Sequence, residues 1–105
     1  MVNEISPEEL QQRLNNGEKI VLLDVREPWE YEIAHLQDTV LIPLDTLAKN
    51  FEKLSKKSEI VVYCHTGSRS YYACILLRRE GFDGVKNLAG GIDAWSNIDP
   101  AVQRY

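Results

Sequence analysis

The chain has 105 residues, 44% hydrophobic and 27% charged, proportions of a soluble globular domain and not of a disordered chain. A formal net charge of −4, from 12 basic against 16 acidic residues, argues against nucleic acid as a partner, because that binding draws on clustered cations. Apolar runs such as Ile20 to Leu23 are too short for a membrane span, and the opening Met-Val-Asn-Glu-Ile lacks the basic and apolar regions of a secretory signal, so a cytoplasmic protein with no membrane partner is expected.

No repeat, low-complexity stretch or linker divides the sequence, so residues 1–105 are expected to form a single domain. Ser6-Pro7-Glu8-Glu9 opens a helix: Ser6 can cap it, Pro7 suits its first position, and Glu9 can close a capping box. Leu10 and Leu14 supply its apolar stripe and Gly17 ends it. Lys19 to Val25 is largely apolar and reads as a strand buried on both faces. Pro28 starts a helical turn through Tyr31 to Ile33, and Thr39 to Ile42 forms a second short strand. Leu44, Leu47, Phe51 and Leu54 follow Pro43 at helical spacing. Glu59 to Tyr63 is a third strand that runs into Cys64. A helix from near Ser70 carries Ala73, Leu76 and Leu77 and stops at Gly81. Val85 to Leu88 is a last strand and Ile92 to Trp95 a last helical turn. Strand and helix alternate, which points to an α/β domain with a mostly parallel sheet. In such sheets the reactive loops lie beyond the carboxyl ends of the strands, where Cys64 falls.

The segment Cys64-His65-Thr66-Gly67-Ser68-Arg69-Ser70 carries the chemistry. A loop that leaves a strand and wraps into a helix start can aim several backbone N–H groups at one point, and the helix dipole adds to that anion cradle. Gly67 allows a backbone conformation that other residues resist. A thiolate at Cys64 would be the anion held, and Arg69 adds a fixed cation with a planar fork suited to an oxyanion. With only two cysteines in the chain, both are expected as thiols, Cys64 as the nucleophile and Cys74 as helix packing among Ala73, Ile75, Leu76 and Leu77.

Four segments together resemble the rhodanese-like sulfurtransferases over nearly the whole chain: Ile5-Ser6-Pro7-Glu8-Glu9-Leu10, Leu23 through Tyr31, the loop from Cys64 to Ser70, and Leu88-Ala89-Gly90-Gly91-Ile92-Asp93-Ala94-Trp95. The resemblance implies a three-layer α/β/α domain around a five-stranded, mainly parallel sheet. It also implies sulfur transfer through a persulfide on the loop cysteine, with no metal or organic cofactor. The Cys-x-x-Gly-x-Arg loop and the tail from Ile98 through Tyr105 further resemble rhodanese domains fused to adenylyltransferases of molybdopterin, thiamine and tRNA thiolation. Where the family commonly reads Gly-His-Ile-Pro-Gly-Ala, this chain has Ala34-His35-Leu36-Gln37-Asp38-Thr39, ahead of a strand and away from the cysteine loop. A phosphatase group shares the fold but places five residues between its Cys and Arg, whereas four separate Cys64 from Arg69.

On this basis Cys64 is the expected catalytic residue. Arg69 and the loop residues His65, Thr66, Gly67 and Ser68 are expected to bind a small anionic sulfur donor such as thiosulfate. A protein donor or acceptor of sulfur is the alternative partner. His65 is expected to point outward and not to act as acid or base. Asp24 and Arg26 are expected to brace the sheet's end as an ion pair, and His35 to be a hydrogen-bonded structural histidine. Trp29, Trp95 and the five tyrosines are expected to serve packing.

Overall fold

In the computed structural model, which describes residues 2–105, the chain begins with strand β1 (Glu4–Ile5). Helix α1 (Pro7–Asn15) starts where the sequence predicts: the Glu9 backbone N–H donates to the Ser6 hydroxyl at 3.1 Å, and Pro7 sits in the first turn. Strand β2 (Val21–Asp24) and helix α2 (Pro28–Ile33) follow. In α2, Glu27 and Glu30 form a reciprocal capping box behind Pro28. Strand β3 (Thr39–Leu41) leads into two 3-10 turns, Leu44–Lys49 and Phe51–Lys53. The remainder is strand β4 (Ile60–Tyr63), helix α3 (Ser68–Arg79), strand β5 (Val85–Leu88) and helix α4 (Gly91–Trp95).

The strands form one sheet in the order β1-β5-β4-β2-β3, and every neighbouring pair is parallel. Side chains alternate between its faces, as the pleat requires. Leu22, Val61, Tyr63 and Leu88 pack with Leu10 of α1 and with Ile92 and Trp95 of α4. Leu23, Ile60, Val62 and Val85 pack with Ala73, Cys74 and Leu77 of α3 and with Leu47 of the first 3-10 turn. Helices thus cover both faces, the three-layer arrangement expected. All four residues of β4 are buried, which accounts for its unbroken apolar sequence. Among the described residues no helix is long and apolar enough to cross a membrane.

Three features differ from the sequence reading. Strand β1 is two residues long, too short to leave a periodic signal. The apolar spacing after Pro43 forms 3-10 turns because Asn50, at φ −132°, breaks the run, and its side chain donates to the Thr46 carbonyl at 2.7 Å. Helix α3 begins at Ser68, two residues earlier than expected, which draws the end of the cysteine loop into its first turn.

Strand order fixes where a site can lie. From β2 the chain passes outward to β3, whereas from β4 it passes the other way to β5. The crevice beyond the carboxyl ends of β2 and β4 is therefore the switch point of the sheet, where α/β folds place their ligands. The loop after β4 begins with Cys64, and the segment after β2 carries Glu27 and Glu30.

Candidate active site

Cys64 is the first residue beyond β4 and is 1% exposed. The chain curls around its sulfur: Gly67 adopts φ +114°, in the left-handed region that favours glycine, and serves as the N-cap of α3. This turn aims three donors at Sγ. The Gly67 N–H lies 3.1 Å away, the Ser70 N–H 3.4 Å and the Ser70 hydroxyl 3.3 Å. Backbone and hydroxyl donors thus converge on the sulfur at a helix N-terminus, an arrangement suited to holding an anion. The N–H groups of Thr66, Ser68 and Arg69 take no protein acceptor among the described residues, so further donors remain at the rim.

Two neighbours hold this loop in shape. The Asn87 amide of β5 is fixed by its two N–H bonds, to Glu4 Oε2 at 2.8 Å and to the Gly67 carbonyl at 3.1 Å. Its oxygen therefore faces Ser70, whose hydroxyl donates to it at 2.5 Å. The single Ser70 hydroxyl proton thus lies nearest Asn87, with the Gly67 carbonyl at 3.2 Å and Cys64 Sγ at 3.3 Å as the other acceptors in reach. From the other side, the first N–H groups of α4 cap the loop: Ile92 donates to the Cys64 carbonyl at 2.9 Å and Asp93 to the His65 carbonyl at 3.0 Å. That approach requires Gly91, at φ +64°, because a Cβ there would lie 2.6 Å from the Cys64 carbonyl oxygen and closer still to that of His65.

Arg69 reaches across the switch point to α2. Its guanidinium donates to both carboxylate oxygens of Glu30, at 2.7 and 2.9 Å. A cation in the first turn of a helix opposes the dipole, and Glu30 is the counter-charge that lets Arg69 sit there. The Arg69 bonds hold the Glu30 carboxyl well below the ordinary value of 4.5, at about 2, against a burial effect that raises it, with the Glu27 N–H and the Tyr105 hydroxyl assisting. Glu30 in turn strengthens the hold of Arg69 on its proton, and the nearby Cys64 adds to that.

The other expected residues fall as follows. His65 is half-buried and stacks on the Tyr105 ring, with centroids 4.2 Å apart. Thr66 and Ser68 are exposed. Cys74 packs in the core on the buried face of α3, and burial pushes its thiol up to about 12. Asp24 and Arg26 form a fully buried ion pair at 2.7 Å at the end of β2. His35 Nδ1 bonds the Tyr31 carbonyl at 2.9 Å and the ring stacks on Tyr31. Sequence reasoning missed Ser70, Asn87, Glu30 and Tyr105. An arginine at a helix start calls for a nearby carboxylate, but nothing in the sequence says which of the acidic residues meets it.

The rhodanese-like domain model covers residues 6–98. The chain belongs to the rhodanese-like domain family. A sulfurtransferase of Allochromatium vinosum is 40% identical over 96 residues, which cover 91% of this chain and 90% of that protein. A probable adenylyltransferase/sulfurtransferase, MoeZ, of Mycobacterium tuberculosis is 38% identical over 96% of this chain, and the match covers 26% of that longer protein. Among solved structures, a rhodanese-like domain protein from Staphylococcus aureus superposes with a TM-score of 0.89 at 27% identity, covering 99% of both chains.

Proposed function

We propose that this rhodanese-like domain is a sulfurtransferase that carries a sulfane sulfur as a persulfide on Cys64. The observation that carries the reading is the set of three donors converging on the buried Cys64 sulfur. In the first half-reaction the Cys64 thiolate attacks the outer sulfur of thiosulfate. A new S–S bond forms, the bond to the sulfonate sulfur breaks, and its electron pair leaves on sulfite. The Arg69 N–H groups not given to Glu30, together with the free N–H groups at the rim, receive the sulfonate charge. In the second half-reaction a nucleophile such as cyanide attacks the outer sulfur of the persulfide, leaves as thiocyanate and returns the thiolate. Between the two, the anionic persulfide is held by the donors that hold the resting sulfur.

One observation favours a second reading, in which the donor or acceptor is a protein. The Arg69 charge is matched by Glu30, so it attracts a small dianion less than a lone arginine would. A protein thiol or persulfide brings its own contact surface and depends less on that charge.

Steady-state kinetics with thiosulfate and cyanide separate the two. Parallel double-reciprocal lines with thiocyanate as product are expected for a ping-pong transferase. Turnover that needs an added protein donor or acceptor would support the second reading and overturn thiosulfate as donor.

A further inference from the structure

Tyr105 lies outside residues 6–98 that match the family, yet it closes a chain of contacts on the cysteine loop. Its hydroxyl oxygen accepts from Arg26 Nη1 at 2.7 Å. Arg26 is itself fully buried and bonded to Asp24 and to the Ala34 carbonyl. With its lone pair committed to a fixed cation, the phenol has one proton to give, and it donates that proton to Glu30 Oε2 at 2.9 Å.

Glu30 is thereby saturated. Its Oε1 accepts from the Glu27 N–H at 3.0 Å and from Arg69 Nη1, and its Oε2 accepts from Arg69 Nη2 and from Tyr105. Two of these donors belong to the scaffold, and together they fix the plane of the carboxylate. The other two are the fork of Arg69, whose direction follows from that plane. The Tyr105 ring also lies flat against His65, at an interplanar angle of 14°, and buttresses the residue after the nucleophile from outside.

We infer that Tyr105 is a positioning residue for the anion-binding half of the reaction: it orients Glu30, and through Glu30 it holds the Arg69 fork at the mouth of the cysteine loop. The inference rests on the persulfide reading for its kinetic consequence and on the contacts alone for its structural one. In a ping-pong scheme kcat/KM for each substrate reports its own half-reaction. Tyr105→Phe keeps the ring and removes the hydroxyl. It should lower kcat/KM for thiosulfate roughly three- to tenfold, the scale of a hydrogen bond to a charged group felt at one remove, and leave kcat/KM for cyanide within about twofold of wild type. Tyr72→Phe, at an exposed tyrosine of α3, is the control and should change neither. In a Glu30→Gln background, Tyr105→Phe should have no further effect, because the two residues act in series.

A second measurement does not depend on turnover. Modification of Arg69 by phenylglyoxal, mapped by mass spectrometry, should be several-fold faster in Tyr105→Phe than in wild type, with Arg104 unchanged. An unchanged rate at Arg69 would overturn the inference whether or not thiosulfate is a donor. So would equal losses for thiosulfate and cyanide, or a loss in Tyr105→Ala that Tyr105→Phe does not share. Absence of thiosulfate turnover in the wild type would instead count against the small-anion reading of the site.

Discussion

Oxygen cannot form the persulfide that sulfur forms, so Cys64→Ser should fold as wild type and lose sulfur transfer completely, read as thiocyanate production beside a thermal melt. Cys74 is buried among core residues with its thiol pushed up to about 12. Cys74→Ser should therefore keep most of the turnover, while a hydroxyl in that apolar setting costs about 1–3 kcal/mol of stability. Equal loss of turnover in the two folded variants would make Cys74 part of the chemistry. Arg69→Ala should lower kcat/KM for thiosulfate by about 10- to 100-fold, the scale of charged hydrogen bonds lost to the sulfonate. Its effect on cyanide should be much smaller; equal effects would place Arg69 on the outgoing sulfur. These single residues were legible to different degrees. Cys64, Gly67 and Arg69 stand together in the sequence and announce an anion loop. Ser70 and Asn87 do not, because their roles arise only when the first turn of α3 is laid against β5.

Loop and helix impose their own constraints. The loop from Cys64 to Arg69 wraps a single sulfur atom, whereas a phosphoryl group needs a donor for each of three equatorial oxygens. The native protein should hydrolyse aryl phosphates at background rate only, and one residue inserted between Ser68 and Arg69 should impair sulfur transfer. Robust phosphatase activity, lost in Cys64→Ser, would contradict the sulfur assignment. Helix α4 must approach the loop closely, so Gly91→Ala should cost about 2–4 kcal/mol through its strained φ and the clash with the loop carbonyls. Helix α2 carries the acid sensitivity. The Glu30 carboxyl lies at about 2 in the fold against an ordinary 4.5. Between those pH values the unfolded chain binds the proton that the folded chain does not. The stabilisation from Glu30 is thus present above about pH 4.5 and is lost as pH falls toward 2. Thermal melts across that window should fall less steeply for Glu30→Gln; Glu59, which Arg13 also holds below its ordinary value, contributes to the slope that remains. An unchanged slope would mean that the Arg69 pair contributes nothing to acid stability. The capping signals of α1 and the buried runs of β2 and β4 were readable because they are local. The 3-10 turns and β1 were not, because Asn50 breaks one pattern and two residues make none.

At the level of the whole chain, the site exists because strand order brings two distant segments to one crevice. Alternation of apolar strands with helices indicates the layers and the parallel sheet. It does not indicate that the turn after β2 meets the loop after β4, which is why the Glu30–Arg69 pair and its Tyr105 support emerge only in the folded molecule. The same crossing leaves Cys64 at the base of a donor-lined loop and Cys74 sealed in the core cluster that α3 covers. A protein arranged this way should hold transferred sulfur on one cysteine only. Intact-mass measurement after incubation with thiosulfate tests this most directly. The expected result is a gain of one sulfur atom, removed by cyanide, present in Cys74→Ser and absent in Cys64→Ser; no gain in the wild type with thiosulfate or polysulfide, or the same gain in Cys64→Ser, would contradict it.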